Sequence, residues 1–192
     1  MVAAVQVVVG LGNPGPEYQG SRHNVGHVVV DRLAHSLGGR FVRRGPAHVA
    51  AVSAGGSRLY LAKLRAYMNE SGPSLAWLLD LFDVDPSAVV LVYDDLDLPF
   101  GQVRVRRAGR HGGHNGVRSV IATLGTQAIR RVKVGIGRPA SRDPDTVADW
   151  VLTPFDPEER AALPAIVDEA ATAALGLLEA PDGPAARTDA GA

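Results

Sequence analysis

Six histidines, no cysteine and a set of loop amides decide what chemistry this chain could perform. His23 stands in the polar stretch Ser21-Arg22-His23-Asn24, just ahead of an apolar pattern with helical spacing. The positive end of a helix dipole disfavours a protonated imidazole, and a neutral ring can accept a proton. Asp94 is the natural partner for it. This residue closes the apolar run Val89–Tyr93, where a carboxylate is costly unless hydrogen-bonded, and an imidazole N–H would satisfy it. Asp95 and Asp97 read more simply as caps of the turn before Pro99.

The remaining histidines carry weaker signals. His27 and His35 fall inside a helical pattern and His48 opens a strand, so structural roles are expected for all three. His111 and His114 have an i,i+3 spacing that a metal could use, but two glycines separate them and no third ligand lies nearby. With no thiol and no Gly-x-Ser-x-Gly elbow, a side-chain nucleophile is not indicated. The economical scheme is a His–Asp pair that activates water, with no metal and no cofactor. The stretch Gly10-Leu-Gly-Asn-Pro-Gly15 matches a dinucleotide fingerprint in letters only. Pro14 and Pro16 remove N–H donors, and the segment runs on into a loop instead of opening a helix that could hold a pyrophosphate.

The elements that must position these groups can be read from periodicity. Val5–Val9 and Val89–Tyr93 are continuous apolar runs of the kind that form buried strands. Asn24 is expected to cap a helix carrying Val25, Val28, Val29, Leu33 and Leu37, stopped by Gly38-Gly39. Residues 48–53 and 59–64 flank Gly55-Gly56 as a hairpin. Ser71 is expected to cap a second helix with Leu75, Leu78, Leu79 and Phe82 on one side. Strands are expected at 103–107 and 131–136, a helix over 117–124, and a long Ala-rich helix over 157–178 kinked or broken at Pro164. Together these predict a single α/β domain over residues 1–180, with a twisted mixed β-sheet flanked by α-helices on both faces. Residues 181–192 are too polar and Gly/Pro-rich to expect order.

Length and composition agree with that plan. The chain has 192 residues, 46% of them hydrophobic and 21% charged, as in an ordinary globular domain. Uninterrupted apolar runs are far shorter than a bilayer span, and no secretory leader is evident, so a cytoplasmic protein without a membrane partner is expected. Twenty Lys+Arg balance twenty Asp+Glu, but the charges are segregated. Residues 98–142 hold ten basic side chains and no acidic one, whereas residues 143–192 hold eleven acids and two arginines. An arginine-rich, acid-free segment favours a phosphate-facing surface, although the acidic third could instead fold over it.

Open α/β sheets place their sites beyond the carboxyl ends of the strands. The loops there carry Asn13, Tyr18 and Ser21-Arg-His-Asn24 after the first strand, and Tyr67-Met-Asn69 after the hairpin. They carry Asp94-Asp-Leu-Asp-Leu-Pro99 and Gly112-Gly-His-Asn-Gly116 further on, with Val134-Gly-Ile-Gly137 beyond. Taken together and in order, these motifs resemble bacterial peptidyl-tRNA hydrolase over roughly residues 5–160. The resemblance implies a metal-free monomeric esterase that frees tRNA from a peptide. It implies His23 as the base that deprotonates water, Asp94 as its partner, and Asn13 as the reader of the N-blocked peptide. Tyr18, Tyr67, Asn69 and Asn115 are implied substrate contacts, Met68 a lining of the same channel, and Arg106 with Lys133 a clamp on a terminal phosphate. Leu64, Ala66 and Arg110 depart from the family's usual residues. The alternative is an RNA-binding module without activity, which would not need the trio His23, Asp94 and Asn13.

Overall fold

The valine run Val5–Gly10 forms strand β1 near the middle of a seven-stranded sheet, in a computed structural model that describes residues 5–179. The other strands are β2 (Val42–Arg44), β3 (Ala47–Ala54), β4 (Ser57–Leu64), β5 (Val89–Asp95), β6 (Val103–Arg106) and β7 (Arg130–Gly135). Their order is β2-β3-β4-β1-β5-β7-β6. β4, β1, β5 and β7 run parallel, while β2, β3 and β6 are antiparallel to their neighbours. The sheet is therefore mixed, as the hairpin predicts. The predicted tail at residues 181–192 lies outside the described residues.

Five α-helices cover both faces: α1 (Val25–Ser36), α2 (Ser71–Phe82), α3 (Asn115–Leu124), α4 (Pro144–Leu152) and α5 (Pro157–Glu179). Alternating residues of the central strands split between two cores. Val8, Val90, Val92, Val132 and Val134 pack with α1 and α5. Val7, Val9, Val89 and Leu91 pack with α2 and α3. Strands buried on both faces must be apolar at consecutive positions, which is why Val7–Val9 and Val89–Val92 read as runs and not as alternations.

Two glycines set how closely α1 can approach. A Cβ on Gly10 would come within 2.2 Å of the Gly26 carbonyl oxygen, and one on Gly26 within 2.3 Å of the Val92 carbonyl oxygen. Gly10, the first glycine of the apparent dinucleotide fingerprint, thus serves helix–strand packing. β1 is also where the chain reverses its direction of travel across the sheet. After α1 it goes to β2, β3 and β4 on one side, and after α2 it crosses to β5 on the other. Such a switch point opens a crevice beyond the strand ends.

Several local expectations need correction. Asn24 occupies the N-cap position of α1 but makes no capping bond; its side chain instead holds the backbone of Asn13 at both N–H and C=O, each 2.9 Å. Ser71 is the first residue of α2, and its hydroxyl donates to the Met68 carbonyl at 2.8 Å. Pro164 sits within one continuous helix, and no break occurs there. α5 also has the length and hydropathy of a membrane span, which a search for unbroken apolar runs overlooks. Its buried residues, Val167, Ala170, Ala171, Ala174 and Leu177, belong to the core shared with α1 and the sheet.

Candidate active site

Asp94 lies near the end of β5 and Asn13 comes just after β1, so neighbouring parallel strands deliver both to the crevice. His23 reaches it from a single 3-10 turn, Arg22–Asn24, that precedes α1. The His23 Nδ1 is 2.8 Å from Asp94 Oδ1 and 2.9 Å from Oδ2. A second imidazole arrives from the start of α3: His114 Nε2 is 3.0 Å from Asp94 Oδ1. The His114 Nδ1 accepts the Val117 backbone N–H at 3.3 Å as the N-cap of α3. That bond fixes the tautomer, because a ring nitrogen that accepts carries no proton. The His114 Nε2–H therefore donates to Asp94.

Asp94 is almost fully buried, and burial alone would raise its pKa. The two imidazoles outweigh burial, His23 more than His114, and with their hydrogen bonds hold the carboxyl well below the usual carboxylate range. Asp94 is thus a carboxylate that accepts from two rings. His23 donates through Nδ1 and keeps an Nε2 lone pair that can take a proton. Both residues line a cavity of about 400 Å³, together with Asn115, Lys133, Arg142 and the α4 residue Val151. His23, His114 and Asp94 each offer a ligand atom within 4.8 Å of the others, a grouping a metal could use. One nitrogen of each imidazole already meets the carboxylate directly.

The Asn13 amide is held in a defined orientation. Asn13 Oδ1 accepts the Met68 N–H at 2.8 Å, so Nδ2 is left as a donor. Met68 is buried beside the site, where a Cβ on Gly116 would come within 2.5 Å of its sulfur. Asn69 and Asn115 are exposed at the starts of two helical segments. Tyr18 and Tyr67 meet edge-to-face with ring centres 6.3 Å apart.

The arginine-rich segment is less uniform than its sequence suggests. Arg130 and Arg131 are buried. Arg130 donates to the carbonyls of Leu177 and Ser87. Arg131 donates to those of Gly109, Gln127, Ile129 and, at 2.8 Å, Arg110. It braces the loop that leads to His114. These two side chains cannot face a polyanion, since their donors are turned inward to carbonyls that a buried guanidinium needs. Lys133 is not a free cation either: its Nζ lies 2.8 Å from Asp95 Oδ2. Arg106 is exposed on β6, two residues along from Arg104, which stands directly opposite Lys133. The acidic third pairs with early arginines, Glu159 with Arg22 and Asp168 with Arg32. Arg138 is paired with Asp97.

Sequence reasoning misses two groups. In the sequence His114 pairs only with His111, yet His111 Nδ1 accepts the Gly113 N–H and takes no part in the cluster. The position of His114 just before an expected helix, and past a strand, is the signal available. Arg22 is fully buried next to His23 in the chain. It stacks 3.9 Å from the Trp150 ring centre and bonds Thr153 Oγ1 at 2.7 Å and Glu159 at 2.6 Å. It ties the His23 turn to the α4–α5 connection, which adjoins an element, α4, that no periodicity announces.

A family model described as peptidyl-tRNA hydrolase matches residues 7–188. The chain is 49% identical over 176 residues to a protein named peptidyl-tRNA hydrolase from Mycobacterium tuberculosis, covering 90% of this chain and 91% of that one. A protein of the same name from Nocardia farcinica is 48% identical, with 90% and 89% covered. The crystal structure of peptidyl-tRNA hydrolase from Acinetobacter baumannii superposes with a TM-score of 0.84 at 30% identity, covering 93% of this chain and 90% of that one. On these grounds the chain belongs to the peptidyl-tRNA hydrolase family.

Proposed function

We propose that this chain hydrolyses the ester between a peptide, or any N-blocked aminoacyl group, and the 3′ end of tRNA, with His23 as the general base. The observation that carries this reading is the bond of both Asp94 oxygens to the Nδ1 side of His23. It presents Nε2 as the basic nitrogen, so a water beside it loses its proton as it attacks the acyl carbon. Asp94 stabilises the imidazolium that forms, and His114 holds Asp94 in place from the other side. An ester of this kind is already activated and has a good leaving group, so a positioned water and amide donors suffice. The ribose oxygen recovers the proton as the tetrahedral intermediate collapses.

Asn13 offers an Nδ2 donor whose orientation is fixed by Met68, which suits it to the carbonyl groups of a blocked peptide. Asn69 and Asn115 extend the row of amides, and backbone recognition of this type is indifferent to side chains. The exposed cations Arg104, Arg106, Arg110 and Arg118 support a phosphate surface beside the site, with Lys133 and its Asp95 partner at the boundary. Contacts of this kind track helix geometry and not base identity, as an enzyme serving many tRNAs requires. We take the enzyme to work as a single chain in the cytoplasm.

The test is release of N-acetyl-aminoacyl groups from tRNA, with free aminoacyl-tRNA as the comparison. The wild-type chain should hydrolyse the blocked substrate preferentially, and Asn13→Ala should narrow that preference. No turnover of blocked aminoacyl-tRNA by the wild type would sink the reading.

A further inference from the structure

A second cavity, about 510 Å³, shares Asn13 with the chemistry above but neither His23 nor Asp94. Its wall includes Asn13, His27, Asp31, His48, Lys63 and Arg65. The basic groups are built into the sheet register: Arg43 lies opposite His48, and His48 opposite Lys63, so three neighbouring strands present them on one face. Burial, then the charges of Arg65, Lys63 and Arg43, push the His48 pKa down, and Lys63 and Arg65 line the same cavity as His48. Asp31 offsets only Lys63, through a direct ion pair.

The inner wall has an unmatched polar group. The His27 Nε2 is buried without a hydrogen-bond partner. Burial, with Lys63 and His48 adding to it, lowers the His27 pKa to about 3, so the ring is neutral. That nitrogen lies against Gly12 and exposes no surface to the cavity, so it offers a ligand no contact. The surplus positive charge at the rim does suit a ligand, an acidic one.

An acyl ester extends from its carbonyl carbon in two directions, toward ribose and phosphates and toward the peptide. Lys133 and Arg142 line the His23 cavity together with the amide Asn115, whereas Asn13 and Asn24, the residue after His23, line the second. We propose that the second cavity is a peptide-side subsite that selects acyl groups carrying an acidic side chain close to the ester; this rests on the hydrolytic reading above. Arg65, exposed and unencumbered by the Asp31 pair, makes the principal contact to the carboxylate.

The experiment compares N-acetyl-Glu-Phe-tRNA with N-acetyl-Gln-Phe-tRNA, and N-acetyl-Phe-Glu-tRNA with N-acetyl-Phe-Gln-tRNA, at low salt. In the wild type, kcat/KM should favour Glu over Gln by about three- to tenfold at one of the two positions, the size of a partly solvated charge contact. In Arg65→Gln that ratio should fall to near one. Equal rates for Glu and Gln at both positions overturn the subsite, and so does a preference that persists in Arg65→Gln. If Arg65→Gln instead slows all four substrates alike, with the ratio intact, Arg65 serves a tRNA phosphate and the proposal is wrong. Failure of the wild type to cleave any of the four overturns the hydrolytic reading itself, whereas even cleavage of all four overturns the subsite alone.

Discussion

Two cavities lie on either side of the His23–Asn24 turn, and they are finished differently. In the first, Asp94 accepts from two imidazoles, and His114 uses both of its nitrogens. In the second, a buried histidine nitrogen has no partner and the basic groups outnumber the acidic Asp31. Burying charge forces every donor and acceptor to be matched, and a network matched in advance can stabilise developing charge without reorganising. A rim with surplus positive charge does the opposite: it gains from an incoming ligand of the other sign. Variants in the first cavity should therefore act on kcat, and those in the second on substrate choice or stability.

The largest effect is expected from His23→Ala. With the proposed base gone, kcat should fall by about 10³-fold while tRNA binding and thermal midpoint stay near wild type. Steady-state hydrolysis of N-acetyl-aminoacyl-tRNA beside a filter-binding titration checks it, and unchanged kcat would remove His23 from the chemistry. Asp94→Asn comes next, with an expected loss of about 10²-fold. The neutral amide has one oxygen to offer His23 and His114 and no charge, so the imidazolium formed during attack loses its stabilisation. A drop in kcat/KM with KM alone affected would contradict that role.

His27 sharpens the comparison through pH. Its folded-state pKa of about 3 lies below the ordinary 6.5, so between those values the unfolded chain holds a proton that the folded chain does not. Holding the ring neutral therefore costs no stability above pH 6.5. Below it, stability is lost at about 1.4 kcal/mol per pH unit as pH falls toward 3. In His27→Gln this part of the slope should vanish. Urea denaturation at pH 7, 6 and 5 measures it, and parallel slopes for the two proteins would show that His27 is not held neutral.

The sequence displays the features that depend on local pattern. β1, β5, the hairpin and α1–α3 can be read from apolar runs, periodicity and glycines, because each buries a face whose period is its own. The loops that carry His23, Asp94 and Asn13 are legible as the segments just past those strands. The illegible features depend on contacts distant in the chain. β2 is three exposed residues whose strand character comes from pairing with β3, and α4 has no fully buried residue. The ten cations of residues 98–142 look alike in letters. Two of them are internal braces whose partners are carbonyls as far away as Leu177, and only the folded chain separates these from the surface ones.

That separation gives the smallest but most specific effect. Arg106 and Lys133 look equivalent as phosphate ligands in the sequence, but their surroundings differ. Arg106 is exposed, and its guanidinium bonds the adjacent Val105 carbonyl. Lys133 is mostly buried against Asp95 at the edge of the His23 cavity. Arg106→Ala should raise KM about three- to tenfold at low salt and flatten its salt dependence by roughly one counterion, with kcat unchanged. Lys133→Ala should do more than that. It leaves the Asp95 carboxylate without its cation, next in the chain to Asp94, so kcat should fall as well as the salt slope. Measuring KM and kcat for both variants from low to moderate salt distinguishes the two positions. Identical behaviour, with kcat intact in each, would mean that the Asp95 pair gives way to phosphate and that Lys133 is simply part of the exposed surface.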